Sequence, residues 1–267
     1  MAGVEAAGEA VTVDTLVLRN CTTLDEFRAC VALQQEVWGF SDAELVPLRI
    51  FSLAPKIGGQ VVGAWDGEIL VGFAFAIPGS RNGHLYLHSH MVAVREAHRN
   101  TGMGRKIKLF QRDDAIAHGY ELMEWTFDPL EIKNAYFNLE RLGAIARRYN
   151  VNQYGITNSP LQGFLPTDRL VAEWWMTSRR VQTVLSSGHH SPIEEEERIE
   201  VPGEIYAWKA EPAMRSRAEQ IQSRNREHFQ SAFSRGLACL GYERDADGNG
   251  CFQLGRWDED WSYAANS

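Results

Sequence analysis

The sequence has no run approaching the ~18 consecutive apolar residues that span a bilayer, so no membrane-spanning helix and no membrane partner are expected. It has no excess of positive charge: 27 Lys and Arg against 35 Asp and Glu give a net charge of −8. A duplex nucleic-acid binder needs a basic face to displace counterions, so nucleic acid is set aside as a partner. A local basic pocket for a small anion is still compatible with an acidic whole. Cysteine is sparse. Cys21, Cys30, Cys239 and Cys251 form neither a CxxC pair nor the mixed His/Cys spacing of a metal site. They are expected to pack as small apolar side chains, no metal is called for, and a cytoplasmic location is the default. The first residues, MAGVEAAGEA, lack the basic and apolar regions of a secretion signal, and residues 1–12 are expected to be a disordered terminus. There is no repeat of fixed period and no low-complexity run.

What is present is a chain of 267 residues, 44% hydrophobic and 23% charged, enough for one large domain or two small ones with a real core. A short strand is expected over Asp14–Arg19. Thr22 and Thr23 offer N-cap oxygens to a helix running to Trp38, and Pro47 opens a short helix ending near Gly58-Gly59. Gln60–Trp65 and Glu68–Ile77 read as a hairpin across Asp66-Gly67. Pro78–Gly83 reads as a turn that leads, with His84, into a strand over Leu85–Val94. A helix over Thr101–Ala117, a strand over Tyr120–Phe127, a helix over Leu130–Leu142 closed by Gly143, and a strand from Ala144 to Tyr149 follow. Beyond Asn158 a loop reaches Pro166. A strand over Arg169–Met176, a helix over Ser178–Leu185 and an exposed loop over Ser186–Glu197 come next. Brief strands are expected at Arg198–Val201 and Glu204–Trp208, then an amphipathic helix within Pro212–Leu237 and a last hairpin of Ala238–Arg244 with Cys251–Trp257. The fold class is α/β (α+β), three layers around a mixed, partly parallel sheet. A core over 13–157 carries an α/β extension over 158–267 packed on it.

The informative stretch runs from Met91 to Lys106, MVAVREAHRNTGMGRK. A strand ends at Val94, a short loop leads to a glycine-containing turn, and a helix begins near Thr101. Such a turn exposes backbone N–H groups that the helix does not use, and the helix terminus adds roughly half a positive charge. Together they make a cradle suited to a diphosphate. Gly102 and Gly104 let an anion approach the backbone, and Arg99, Arg105 and Lys106 can neutralise charge at its rim. The spacing is neither GxxxxGK[ST] nor GxGxxG.

The hexapeptide Arg99-Asn100-Thr101-Gly102-Met103-Gly104 resembles the [QR]-x-x-G-x-[GA] motif of the GNAT superfamily of N-acyltransferases, and the order of elements from Asp14 to Gly155 is similar to that superfamily's. Trp125–Leu130, Asn134–Asn138, Leu142-Gly143, Tyr149, Asn152, Tyr154-Gly155, Pro166–Val171 and Glu173–Trp175 resemble a little-characterised branch of predicted acyltransferases. Some of its members are similar to amino-acid N-succinyltransferases that partner an N-succinylamino-acid racemase. The resemblance implies a GNAT-like fold that binds acyl-CoA as co-substrate and transfers an acetyl, succinyl or similar group to a primary amine of a small molecule such as an amino acid. A homodimer is compatible with it. It implies that Met91, Val92 and Val94 offer backbone groups to the pantetheine arm. Arg99, Asn100, Thr101, Gly102, Met103, Gly104 and Arg105 would hold the pyrophosphate. Asn134 and Asn138 would touch the CoA arm, or else cap the helix and contact the sheet.

The chemistry needs a proton acceptor for the amine and a proton for the departing thiolate. In the histone-acetylating branch the base stands six residues before the valine that closes the strand, which here is His88. His90 lies two residues on, on the same strand face, and either histidine could instead be structural. The superfamily's usual acid, a tyrosine four residues before the closing glycine, is replaced by Leu139. Tyr136, one turn earlier, is the substitute acid or a packing residue, and water can also return the proton. Glu124 is a second candidate base or a paired strand carboxylate. Trp174-Trp175 beside Glu173 wall an acceptor pocket or a buried strand. Arg147-Arg148 and Arg179-Arg180 bind a substrate carboxylate or lie in solvent. The missing tyrosine keeps open a second reading, a non-catalytic acyl-CoA-binding or regulatory module.

Overall fold

A computed structural model describes residues 16–42, 44–155 and 164–257. The expected terminus over residues 1–12 and most of the loop after Asn158 lie outside them. The chain divides into two compact units. Unit 1 holds residues through Ile77 together with Met91–Asp114, and unit 2 holds Pro78–His90 together with the residues from Ala115 onward.

Unit 1 begins with β1 (Val17–Asn20), followed by α1 (Leu24–Trp38) and α2 (Leu48–Leu53). Thr23 and Glu26 form a capping box at the start of α1, and Gly39, at φ 63°, closes it. β2 (Gln60–Asp66) pairs antiparallel with β1 and with β3 (Ile69–Arg81). The hairpin loop is Gly67-Glu68 rather than Asp66-Gly67, because Asp66 is still paired with Ile69. Alternation along these strands feeds two cores. Phe73, Phe75, Val61 and Ala93 pack with Phe27, Leu33 and Phe51 of α1 and α2. Val62, Ala64, Val71 and Ala74 pack with Met103 and Ile107 of α3 (Met103–Ala117). The last residues of β4 (His84–Val94) follow the same period of two: Met91 packs on the first core, Val92 and Val94 on the second. Helices therefore cover both faces, the expected three layers.

Unit 2 is built on strands in the order β4, β5 (Leu122–Phe127), β7 (Arg169–Trp175), β6 (Ile145–Asn150), β9 (Leu237–Arg244), β10 (Gly250–Arg256) and β8 (Glu197–Val201). Only β4 and β5 run parallel, and the remaining neighbours are antiparallel. The fold class is thus mixed α/β, mostly antiparallel with a parallel pair. Helix α5 (Arg179–Ser187) is capped by Ser178. Helix α7 (Arg215–Ser234) buries Ala218, Phe229 and Ala232, and Phe229 meets Tyr149 and Phe252 at ring-centroid distances of 5.6 and 5.0 Å. No helix among the described residues is long and apolar enough to cross a membrane.

Three further expectations are corrected. Pro78–Arg81 continue β3 and His84 opens β4, so the turn is Asn82-Gly83 alone. Both of its residues have positive φ, 50° and 80°, as a two-residue turn of type I′ requires. Gly79 belongs in the strand because a Cβ there would lie 2.5 Å from the ring of Tyr86. Glu204–Trp208 is not a strand. It lies in and beside helix α6 (Ile205–Ala210), whose buried Ile205 and Lys209 stand four apart on one face. The expected helix over Leu130–Leu142 is α-helical only over α4 (Ile132–Tyr136) and then takes a π turn over Phe137–Arg141. Leu142 N–H there reaches back to Phe137 O, and Gly143, at φ 76°, ends it.

β7 lies between β5 and β6 and pairs with both. A fragment ending at Gly155 removes the middle strand of that trio and strips buried Trp174 and Trp175 from unit 2. We expect Met1–Gly155 to be insoluble or to lack a cooperative thermal transition. A soluble fragment with one sharp transition would contradict this.

Candidate functional site

The cradle lies wholly in unit 1. Val94 ends the strand, and Arg95 N–H closes on Val71 O at 2.8 Å. A 3-10 turn over Glu96–His98 follows. Asn100 and Gly102 both have positive φ, 62° and 85°. Thr101 Oγ1 donates to His98 O at 2.7 Å. Lys106 N–H donates to Gly102 O at 3.1 Å and starts the helical ladder. The N–H groups of Met103, Gly104 and Arg105 precede that first bond and are left over by the helix. A Cβ built on Gly102 or on Gly104 meets nothing within 4 Å, so the space beside both glycines is open. Arg99 and Lys106 are exposed, whereas Met103 is buried and serves the core through its side chain. Four buried side-chain nitrogens here have no hydrogen-bond partner among the described residues: Arg95 Nε, both ring nitrogens of His98, and Arg105 Nε. This donor-rich, acceptor-poor turn suits a doubly charged anion such as a pyrophosphate. His98 was not singled out from sequence. Its place between the strand end and the glycines was the available signal.

In unit 2 the candidate histidines stand on β4. His88 is the register partner of Glu124 on β5, and the His88 and His90 ring centroids are 6.1 Å apart. His90 keeps an exposed edge, while the protein packed around the rest of its ring lowers its pKa below the ordinary histidine value.

Glu124 is placed as a paired strand carboxylate. It is 2% exposed and takes a bidentate pair from Arg81, at 2.6 and 2.8 Å, and a further bond from Arg148. Its register partner on β7 is Glu173, equally buried, which receives Arg147 and Arg148. Arg147 and Arg148 are therefore spent on internal carboxylates rather than lying free in solvent. The role of Arg81 escaped the sequence reading because its partner is 43 residues away. Arg180 donates to the carbonyls of Gly143 and Leu240 and fastens the end of the π turn, while Arg179 is exposed. Trp174 is fully buried, with its indole N–H on Leu142 O at 2.7 Å, and Trp175 is also buried, so both serve the core.

On α4 and its π turn the candidates separate. Asn134 is exposed. Asn138 is 1% exposed, accepts from Trp125 Nε1 at 3.2 Å, and leaves its Nδ2 without a partner among the described residues. Leu139, where the resemblance expects a tyrosine, is fully buried. Tyr136 is half-buried, with the Arg244 guanidinium 4.5 Å from its ring centroid.

No family model matches the chain, and no curated protein matches its sequence. Solved structures do match its fold. An N-acetyltransferase from Staphylococcus aureus Mu50 is 11% identical with a TM-score of 0.50, covering 61% of this chain and 99% of its own. The yncA protein of Salmonella typhimurium, assigned as an acetyltransferase and seen with acetyl-CoA, is 15% identical with a TM-score of 0.50, covering 62% and 96%. An assigned acetyltransferase of the GNAT family from Desulfovibrio desulfuricans is 14% identical with a TM-score of 0.48, covering 61% and 99%. What this chain shares with these acetyltransferases is the fold.

Gly104→Glu is expected to abolish CoA binding by calorimetry while the melting temperature stays within a few degrees, since its φ is ordinary and its Cβ has room. Gly102→Glu should also abolish binding but melt lower, because an L side chain at φ 85° costs roughly 1 kcal/mol or more. Parent-like CoA binding by either variant would overturn the cradle assignment.

Proposed function

We propose that this chain is an acyl-CoA-dependent N-acyltransferase that moves an acetyl, succinyl or similar acyl group to a primary amine of a small molecule such as an amino acid. The observation that carries the reading is the open cradle. Unpaired N–H groups of Met103, Gly104 and Arg105 stand with two glycines that have open space beside them, at the end of a strand, in a GNAT acetyltransferase fold.

The thioester of acyl-CoA supplies an activated carbonyl when bound. Every other contribution belongs to the chain. The N–H groups of Gly102–Arg105 bind a pyrophosphate, with Arg99 and Arg105 balancing its charge. Backbone groups of Met91, Val92 and Val94 would hold the pantetheine arm, although Val94 O already accepts from Arg99 Nε at 3.2 Å and must be shared or released. Asn134, exposed, and Asn138, with a spare N–H, are the carboxamides assigned to the same co-substrate. His88 takes the proton from the amine, and Tyr136 is the candidate that returns one to sulfur. Glu124 is left out of this step because Arg81 and Arg148 already occupy its carboxylate.

The buried Leu139 favours a second reading, an acyl-CoA-binding module without turnover. Thiol release from acetyl-CoA and succinyl-CoA across a panel of amines separates the two, since only the enzyme releases thiol in step with acylated amine. His88→Ala is expected to lower kcat at least tenfold, because losing a general base typically costs ~10²–10⁴, with CoA affinity within a few fold of the parent. If His90 were the base instead, its lowered pKa would keep it neutral to lower pH. The rate would then hold until pH fell below the ordinary histidine value. A His88→Ala variant with parent kcat and an acid limb below the ordinary histidine value would assign the step to His90.

A further inference from the structure

In unit 2 the chain leaves α5 and crosses β9 and β10 as a strap. Gly188, at φ 82°, ends the helix, and Glu196 N–H closes on Leu254 O at 2.8 Å. Residues 190–196 between these points form neither helix nor strand. Two glycines make room for the crossing. A Cβ on Gly241 of β9 would lie 2.5 Å from Ile193 Cδ1, and one on Gly255 of β10 would lie 2.5 Å from Glu194 O. Both positions are thus kept bare where another segment approaches the sheet closely. Ile193, half-buried, packs on the apolar cluster of Leu122, Ile145, Trp175, Ala238 and Leu240.

Near its start the strap is held by His190, and both ring nitrogens take part. Nε2 lies 3.0 Å from Glu140 Oε1 on the π turn, and Nδ1 lies 2.8 Å from the carbonyl of Ser191. Glu140 Oε1 already accepts Tyr242 N–H at 2.7 Å, so it meets the ring as an acceptor. A carbonyl and a carboxylate only accept. Both ring nitrogens must therefore donate, and only the imidazolium carries two N–H groups. The neutral ring has to give up one of the two bonds. The His190 and Glu140 side chains are 15% and 18% exposed, so little water is at hand to replace it. Two charged groups face the ring. Glu140 favours the cation, and Arg180 of α5, which donates to the carbonyls of Gly143 and Leu240, opposes it. β9 brings only the main chain of Gly241 and β10 the uncharged Gln253. The bond to Glu140 outweighs burial and Arg180, and holds the His190 pKa above the ordinary histidine value.

We propose that His190 is a pH-sensitive latch: protonated, it fastens the strap to the π turn and, through Glu140, to β9; neutral, it lets the strap open about Gly188. Opening lifts Ile193 from its apolar cluster and frees Glu140, which neighbours the buried Leu139. A raised folded-state pKa fixes the direction. The latch is complete below the ordinary histidine value of about 6.5 and is lost as pH rises through the raised one. The latch lies wholly within unit 2 and stands or falls apart from the acyltransfer reading.

An NMR titration of the full chain from about pH 5 to about pH 9 tests it. His190 is assigned as the ring signal missing from His190→Gln. Hydrogen-exchange protection at the Glu196 amide, corrected for intrinsic exchange, is followed over the same range. His190 is expected to titrate above the ordinary histidine value. Protection at Glu196 should fall with rising pH, by about tenfold for each unit by which the His190 pKa is raised, because titration and opening are linked. In Glu140→Gln the acceptor oxygen stays and the charge goes, so His190 should titrate lower than in the parent. In His190→Gln the fall in protection should disappear. His228 lies 3.4 Å from Glu197 beyond the far end of the strap, and His228→Gln should keep the fall. A parent His190 titrating at or below the ordinary value, or Glu196 protection that does not change with pH, would overturn the proposal. So would a fall that survives His190→Gln or vanishes in His228→Gln.

Discussion

Two carboxylates face one another across neighbouring strands inside unit 2, and three guanidiniums make that arrangement tolerable. Glu124 on β5 and Glu173 on β7 are register partners, 2% and 4% exposed. Like charges directly opposite are repulsive, and a buried carboxylate without a partner is costlier still. Arg81 reaches Glu124 from the end of β3, while Arg147 and Arg148 arrive from β6. The three arginine side chains keep between 27% and 36% of their surface in solvent. Each pair is therefore weaker than the ~3–5 kcal/mol associated with breaking a fully buried one. The cluster ties β3, β5, β6 and β7 together through charge. It occupies the Glu124 carboxylate with Arg81 and Arg148, which is why the proposed base is sought among the histidines of β4.

The cradle in unit 1 rests on a different constraint. The anion binding proposed for it falls to backbone N–H groups, which exist in every protein and are useful only where a helix start leaves them over and no side chain stands in front. The chain meets both conditions with two glycines and two positive φ angles, at Asn100 and Gly102. The side chains around it serve the core, as Met103, Val92 and Val94 do, or carry positive charge outward, as Arg99 and Lys106 do.

Local features were legible in the sequence and distant ones were not. The capping of α1 by Thr23 and the stop at Gly143 after the α4 segment are encoded within a few residues, and both appear where the chain chemistry puts them. The insertion of β7 between β5 and β6, the reach of Arg81 to Glu124 and the buried pairing of Lys209 with Asp128 at 3.0 Å join residues tens of positions apart. No spacing rule announces them. Helix α6 was misread because six residues are too few to distinguish a period of 3.6 from a period of 2. The π turn after Tyr136 has no local signature, and its extra residue rotates the positions before it relative to an unbroken α-helix.

The central claim is that the backbone of Gly102–Arg105 receives the pyrophosphate of an acyl-CoA. A crystal structure of the full chain with a non-hydrolysable acyl-CoA thioester analogue tests it most directly. The account predicts pyrophosphate oxygens within hydrogen-bond distance of the N–H groups of Met103, Gly104 and Arg105. An analogue bound elsewhere, with these N–H groups facing only solvent, would contradict it.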